Sequence, residues 1–123
     1  MSVNLSLVLP CYNEEKNVSI LYKEFLEIPW ENLVAELIYV NNGSTDKTSA
    51  EIDKIIEINN LKRNNIIIKK TNLFENEGYG GGIAAGLKDA SGQYIGWAHA
   101  DLQTPLVDFF KLYLLIKNKK KIF

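Results

Sequence analysis

Apolar residues fall along this chain in two alternating periods. Val3, Leu5, Leu7, Val8 and Leu9 form a run of strand length ending at Pro10, and Leu37 to Val40 forms a second, rich in branched and aromatic residues. Runs of this kind predict strands buried on both faces. Asn65 to Lys70 and Tyr94 to Ala98 supply a third and a fourth. Between them the spacing becomes helical. Val18, Leu21, Tyr22, Phe25 and Leu26 recur at i, i+3, i+4, i+7 and i+8, and Ile52, Ile55, Ile56 and Asn59 repeat the stripe. A third helix is predicted from Gly80 to Ala90. A fourth is predicted from Pro105 to Lys117, with Thr104 as N-cap and proline at the first helical position.

The order β-α-β-α-β-α-β-α predicts an α/β fold, a Rossmann-like parallel sheet of about four strands with right-handed crossovers and helices on both faces. With no repeat or low-complexity linker, residues 1–117 are expected to form one domain, followed by a basic tail at 118–123. Such a sheet delivers the segments after its strands to one edge, where ligands bind at the reversal of strand order.

Composition narrows the function. The 123 residues are 46% hydrophobic and 24% charged, typical of a globular domain that buries about two-thirds of its unfolded surface. One cysteine, Cys11, cannot make an internal disulfide, and no leader-like segment opens the chain, so a cytoplasmic setting is expected. No apolar run reaches the roughly 18 residues of a membrane span. The net charge of −1 argues against a nucleic-acid surface, but it hides a division: residues 1–110 hold fifteen acidic and nine basic residues, net −6, and the last thirteen hold five lysines and no acid, net +5.

Three loops can carry chemistry. In Pro10-Cys11-Tyr12-Asn13-Glu14-Glu15, proline is expected to stop the strand and Asn13 to cap the next helix, while Tyr12 at the tip of a polar turn is suited to stack on a flat ring. Asn41-Asn42-Gly43-Ser44-Thr45-Asp46 is explained by turn chemistry alone, yet Asn41 ends a buried strand and offers both donor and acceptor. In His99-Ala100-Asp101-Leu102-Gln103, residues 99, 101 and 103 share a parity. A persisting extended conformation would project an imidazole, a carboxylate and an amide to one side, a set able to hold a divalent cation. Gly80-x-Gly82-x-x-Ala85 matches the dinucleotide fingerprint in form only, because nine residues separate Lys70 from Gly80. A helix start whose small residues approach the sheet closely is the better account.

Taken together, VLPCYNEEKNV (8–18), IYVNNGSTDKT (38–48), NEGYGGGIAAGLKDASGQYI (76–95) and HADLQTP (99–105) resemble, in order and spacing, the inverting glycosyltransferases of family 2, which have the GT-A fold. The resemblance covers residues 3–117, and the fourth block is most similar to the polyprenyl-phosphate sugar transferases. It implies Pro10, Tyr12 and Glu14 around a nucleotide base and ribose, Asn41 where the family has a base-contacting aspartate, and Gly78 and Gly80 beside the nucleotide. It implies Asp101 as the catalytic-centre carboxylate and ligand of Mg²⁺ or Mn²⁺, Gln103 assisting it, and His99 in place of the motif's first aspartate. Asn41, Asn42 and His99 remove three negative charges relative to that pattern, which lowers the expected metal affinity.

The implied activity is transfer, with inversion, of a sugar from a UDP- or GDP-sugar to a lipid phosphate or glycan acceptor, a polyprenyl phosphate being favoured, at the cytoplasmic face of the membrane. The family's catalytic domain continues beyond the fourth block, so the alternative is a catalytically incomplete nucleotide-sugar-binding fragment or partner subunit. The helix at 105–117 is apolar nearly all round. It is expected to be buried on every side, by further sequence, self-association, a partner or a membrane interface.

Overall fold

The computed structural model describes residues 2–62 and 64–118, so most of the expected basic tail, 119–123, lies outside the described residues. The predicted alternation forms in full: β1 (Leu5–Cys11), α1 (Val18–Glu27), β2 (Ala35–Asn42), α2 (Thr48–Asn60), β3 (Ile66–Leu73), α3 (Gly78–Asp89), β4 (Tyr94–Trp97) and α4 (Val107–Asn118). The strands make one parallel sheet in the order β3-β2-β1-β4. β1 and β2 are buried along their whole length, as their unbroken apolar runs require.

Each strand's alternation sorts its side chains to two faces. Leu5, Leu7, Leu9 and Cys11 of β1, with Ala35, Leu37 and Tyr39 of β2 and Ile66 and Ile68 of β3, join α1, α2 and α4 in the main core. Val8, Ile38 and Val40 turn to the other face, where Ala85 of α3 and Ala90 pack on them. A right-handed crossover sends α1 and α2 to one face because β1, β2 and β3 are laid down in one direction. β4 returns to the far side of β1, so its crossover helix α3 covers the opposite face.

α3 lies close to the sheet because it is glycine-rich. A Cβ on Gly86 would sit 2.3 Å from Val8 Cγ1 and 2.8 Å from Val40 Cγ2. The small residues therefore serve packing against the strands, in keeping with the rejection of the dinucleotide fingerprint.

The sheet's amino-terminal edge is held by a buried carboxylate. Glu36, fully buried in β2, accepts from Ser6 Oγ at 2.8 Å, from Ser91 N–H at 3.0 Å and Ser91 Oγ at 2.9 Å, and pairs with Lys69 Nζ at 2.7 Å. It thus joins three strands to the turn before β4. Burial acts to raise its pKa, but the bonds from Lys69, Ser91 and Ser6 outweigh that and hold the carboxyl below its usual range.

Three local expectations are corrected. Pro10 does not end β1, which continues to Cys11 with Pro10 opposite Val40. The reason is directional: the Val8 carbonyl accepts from Ala98 N–H, so even-numbered residues aim their main chain at β4. β4 pairs no further than Trp97 opposite Val8, and the donor that proline lacks would have had no partner. Thr104 and Pro105 do not start α4, which begins at Val107; Leu106 N–H donates instead to Glu24 Oε1 at 2.6 Å. Nor is α4 buried all round. Phe110 meets Trp30 with ring centres 5.2 Å apart and Tyr113 meets Tyr94 at 5.3 Å, but Leu112 and Leu115 remain 55% and 57% exposed. An apolar groove of about 420 Å³ runs between α4 and β4, bounded by Trp97, Phe109, Leu112 and Ile116.

Gly86→Ala is expected to destabilise the fold by about 1–3 kcal/mol through overpacking, read from a denaturant midpoint that falls at constant slope. Because the pKa of Glu36 is lowered on folding, its contribution to stability is complete above the unfolded value near 4.5 and is lost as pH falls through the lower folded value. Glu36→Gln is expected to lower stability at pH 7 and to flatten the acid limb of the stability–pH curve.

Candidate functional site

The reversal of strand order lies between β1 and β4, and the segments that follow these two strands diverge there. A pocket of about 250 Å³ opens at that point. Pro10, Tyr12 and Glu14 line it from the β1 side, His99 and Asp101 from the β4 side, and Asn42, Asn76, Gly78 and Tyr79 from the end of β2 and the start of α3. Of the residues singled out in the sequence, Pro10, Tyr12, Glu14, Gly78, His99 and Asp101 therefore meet in one cavity. Asn41, Gly80 and Gln103 are not part of its lining.

The loop after β1 is fixed by the loop after β2. Asn13 adopts φ of +54°, a left-handed conformation that asparagine tolerates better than most residues. Its Oδ1 accepts from Thr45 N–H at 2.8 Å and Asp46 N–H at 3.3 Å, while its own N–H donates to Ser44 Oγ at 3.0 Å. The expected cap of α1 is therefore replaced by a clamp between loops. α1 starts at Val18 after Asn17, which makes no side-chain cap bond. Asn17 Nδ2 instead donates to Glu14 Oε1 at 2.9 Å and to the Ala100 carbonyl at 3.3 Å, tying the β1 and β4 sides of the pocket together.

Tyr12 is about half-exposed and lines the pocket. Asn41 is buried, and its amide is committed within the fold: Nδ2 donates to Asn72 Oδ1 at 2.7 Å and Oδ1 accepts from Ser44 N–H at 3.2 Å. The extended conformation expected for 99–103 does not persist. The chain turns at Leu102, whose φ is +67°, and Asp101 Oδ1 accepts from Gln103 N–H at 3.2 Å. That turn separates Gln103 from the pocket and leaves His99 stacked on Tyr79, with centroids 4.5 Å apart and planes 10° from parallel.

The pocket is electronegative. Burial pushes the Glu14 carboxyl above its usual value, the Asn17 amide acts against the rise, and the carboxylates of Asp101 and Asp46 add to it. Asp46 is held low in spite of its own desolvation, by hydrogen bonds from Thr48 and from Glu15 N–H. No group of three His, Cys, Asp or Glu able to enclose a metal occurs among the described residues. The donor set does fit a hard cation shared with a ligand's phosphates. Asp101 is exposed at the wall with one carboxylate oxygen bonded to Gln103 N–H, and such cations are commonly held by one or two carboxylates plus phosphate oxygens. Cys11 Sγ donates to the Leu9 carbonyl, and burial pushes its thiol pKa far up, so the sulfur is held as a neutral thiol.

Comparison with known proteins identifies the family and the fold. The family described as "Glycosyl transferase family 2" matches residues 6–123. This chain belongs to that family. A glycosyltransferase of Synechocystis sp. is 36% identical over 106 residues, covering 85% of this chain and 31% of the relative. A dolichyl-phosphate beta-glucosyltransferase of Drosophila melanogaster is 31% identical over 123 residues, covering 95% of this chain and 36% of the relative. In structure, the mannosyltransferase PcManGT from Pyrobaculum calidifontis, solved with GDP-Man and Mn²⁺, superposes with a TM-score of 0.79 at 19% identity. The match covers 99% of this chain and 34% of that one, and it establishes the GT-A fold. The chain thus spans about a third of the length of each.

Asn17, Asn76 and Tyr79 shape the pocket and were not singled out in the sequence. Asn76, two residues before a glycine that opens a helix, was the most readable of them.

Asn13→Ala removes the acceptor shared by Thr45 and Asp46 and puts at a left-handed φ a residue that tolerates it less well than asparagine. A loss of about 1–3 kcal/mol is expected, with hydrogen exchange at the Thr45 and Asp46 amides accelerated more than in the core strands.

Proposed function

We propose that this chain binds a nucleotide-diphosphate sugar in the pocket between β1 and β4, as the donor-binding part of an inverting sugar transferase. The observation that carries this is the convergence of Pro10, Tyr12, Glu14, Gly78, His99 and Asp101 on one cavity at the strand-order reversal. Tyr12 would stack on the base, and Glu14 would accept from ribose hydroxyls. Asn41 would act through the loop it fixes at Ser44. Gly78 N–H is held by Asn76 Oδ1, so Gly78 would serve by its compact backbone, and the N–H groups that follow it in the first turn of α3, up to Gly80, would favour the diphosphate.

A divalent cation, Mg²⁺ or Mn²⁺, held by Asp101 together with the diphosphate oxygens, would neutralise the leaving group. Support for such an ion comes from the donor set and from the Mn²⁺ bound by the Pyrobaculum enzyme. His99 and Gln103 would contribute through the shape of the Asp101 turn, His99 from its stack on Tyr79 and Gln103 through its N–H.

In the transfer, the acceptor oxygen attacks the anomeric carbon on the face opposite the diphosphate, whose bond to carbon breaks, and the configuration inverts. We favour a polyprenyl phosphate as acceptor, supported by the dolichyl-phosphate relative. A phosphate oxygen is already ionised near neutral pH, so this chemistry needs no general base from the chain. The acceptor side is proposed to lie in the length that the relatives have beyond the matched region, and transfer would then take place at a membrane face.

Calorimetric titration with UDP and GDP, with and without Mn²⁺, tests the reading. Binding is expected, with Tyr12→Ala weakening it about tenfold, or about 1.4 kcal/mol, under both conditions and Asp101→Ala doing so mainly with Mn²⁺. Absence of binding at millimolar nucleotide, or binding indifferent to both substitutions, would overturn it. Binding without transfer to any lipid phosphate would favour the incomplete-module alternative.

A further inference from the structure

The segments that follow β1, β2 and β4 and the start of α3 meet around the pocket, and hydrogen bonds fasten most of them together. Asn13 joins the loop after β1 to the loop after β2, and Asn17 joins the β1 side to the Ala100 carbonyl. Asn42, at the end of β2, accepts from Glu77 N–H at 2.9 Å and donates to the Gly78 carbonyl at 2.8 Å, which pins the start of α3. Between α3 and residues 99–103 no hydrogen bond occurs among the described residues. That junction is made by two rings. Tyr79, directly after Gly78 in the first turn of α3, stacks on His99 with centroids 4.5 Å apart and planes 10° from parallel.

We propose that Tyr79 is a positioning residue for Asp101: by giving His99 a flat face to lie on, it holds the segment after β4 against α3 and keeps the Asp101 carboxylate where a cation and the ligand's diphosphate would share it. The proposal rests on the nucleotide reading above. His99 is two residues before Asp101, and Asn17 holds the Ala100 carbonyl between them, so the stack fixes the approach to the carboxylate from its second side. Tyr79 and Asp101 line the same cavity, and after burial the Asp101 charge is what raises the Tyr79 phenol. The clasp is a property of this chain, because the family pattern has an aspartate at position 99. A carboxylate there would hold a cation itself. With an imidazole in its place, the hold on a cation depends on where Asp101 is set. Stacking needs a flat face, which phenylalanine keeps and leucine, filling similar space, does not.

The test uses the chain's one histidine as its reporter. Proton spectra of wild type, Tyr79→Phe and Tyr79→Leu are recorded at one fixed pH without ligand, and UDP and GDP dissociation constants are measured with and without Mn²⁺. The ring current of an overlying aromatic moves the carbon-bound protons of His99 upfield. Wild type and Tyr79→Phe are expected to show this shift and Tyr79→Leu to lose it. Tyr79→Leu is expected to weaken binding about fivefold more with Mn²⁺ present than without it, and Tyr79→Phe to restore most of that difference. Loss of a direct contact between Tyr79 and nucleotide would weaken binding equally under both conditions. That result, no weakening at all, or His99 signals unmoved by Tyr79→Leu would overturn the proposal. So would wild-type binding indifferent to Mn²⁺, which would leave Asp101 no cation to be positioned for. Should Tyr79→Leu fail to fold, Tyr79→Ala, a better helix former at this exposed position, takes its place. Absence of nucleotide binding by wild type would instead remove the nucleotide reading, and the His99 signals would then show separately whether the Tyr79 clasp exists.

Discussion

Parallel pairing of β1 on both sides is the constraint from which the rest of this molecule follows. A strand hydrogen-bonded to β2 along one edge and to the shorter β4 along the other must be apolar on both faces, and its chain parts from that of β4 where β4 stops pairing. The parting creates the pocket. Because β4 stops pairing opposite Val8, β1 projects beyond it by three residues, and Pro10 and Cys11 belong to the sheet and to the pocket wall at once. The geometry of the site is thus set by backbone register, which is harder to perturb than the conformation of a surface loop.

Around that frame the pocket is assembled largely by asparagine. Asn13, Asn17, Asn41 and Asn42 each bond the backbone or side chain of another segment, and Asn76 holds the Gly78 N–H two residues on. An amide gives and takes in one planar group without adding charge, which suits a cavity already carrying Glu14 and Asp101. The same economy is absent at the opposite edge of the sheet, where Glu36 makes its bonds as an anion and has Lys69 to balance it.

The alternation of strands and helices was legible in the sequence because both periods are strong: Leu5, Leu7 and Leu9 on one side, Val18, Leu21 and Phe25 on the other. So was the gathering of Pro10, Tyr12, Glu14 and Asp101, since every loop after a parallel strand arrives at one edge. What was not legible depended on partners distant in the chain. Asn13 looks like a helix cap when only its neighbours are considered, and its real acceptor role is toward residues 45 and 46. Pro10 looks like a strand terminator until the length of β4 is known. The parity of residues 99, 101 and 103 failed because a carboxylate able to accept its own backbone N–H two residues on will turn the chain.

Cys11 illustrates how the fold can cancel a chemical inference. A lone thiol in a sequence invites conclusions about the redox character of its surroundings. Here the side chain is wholly enclosed among the apolar residues between β1 and α1, with its S–H bonded to the Leu9 carbonyl. An oxidant, a disulfide exchange partner or a soft metal would have to displace the residues packed over it to reach it. The sulfur acts as a packing atom behind the pocket wall.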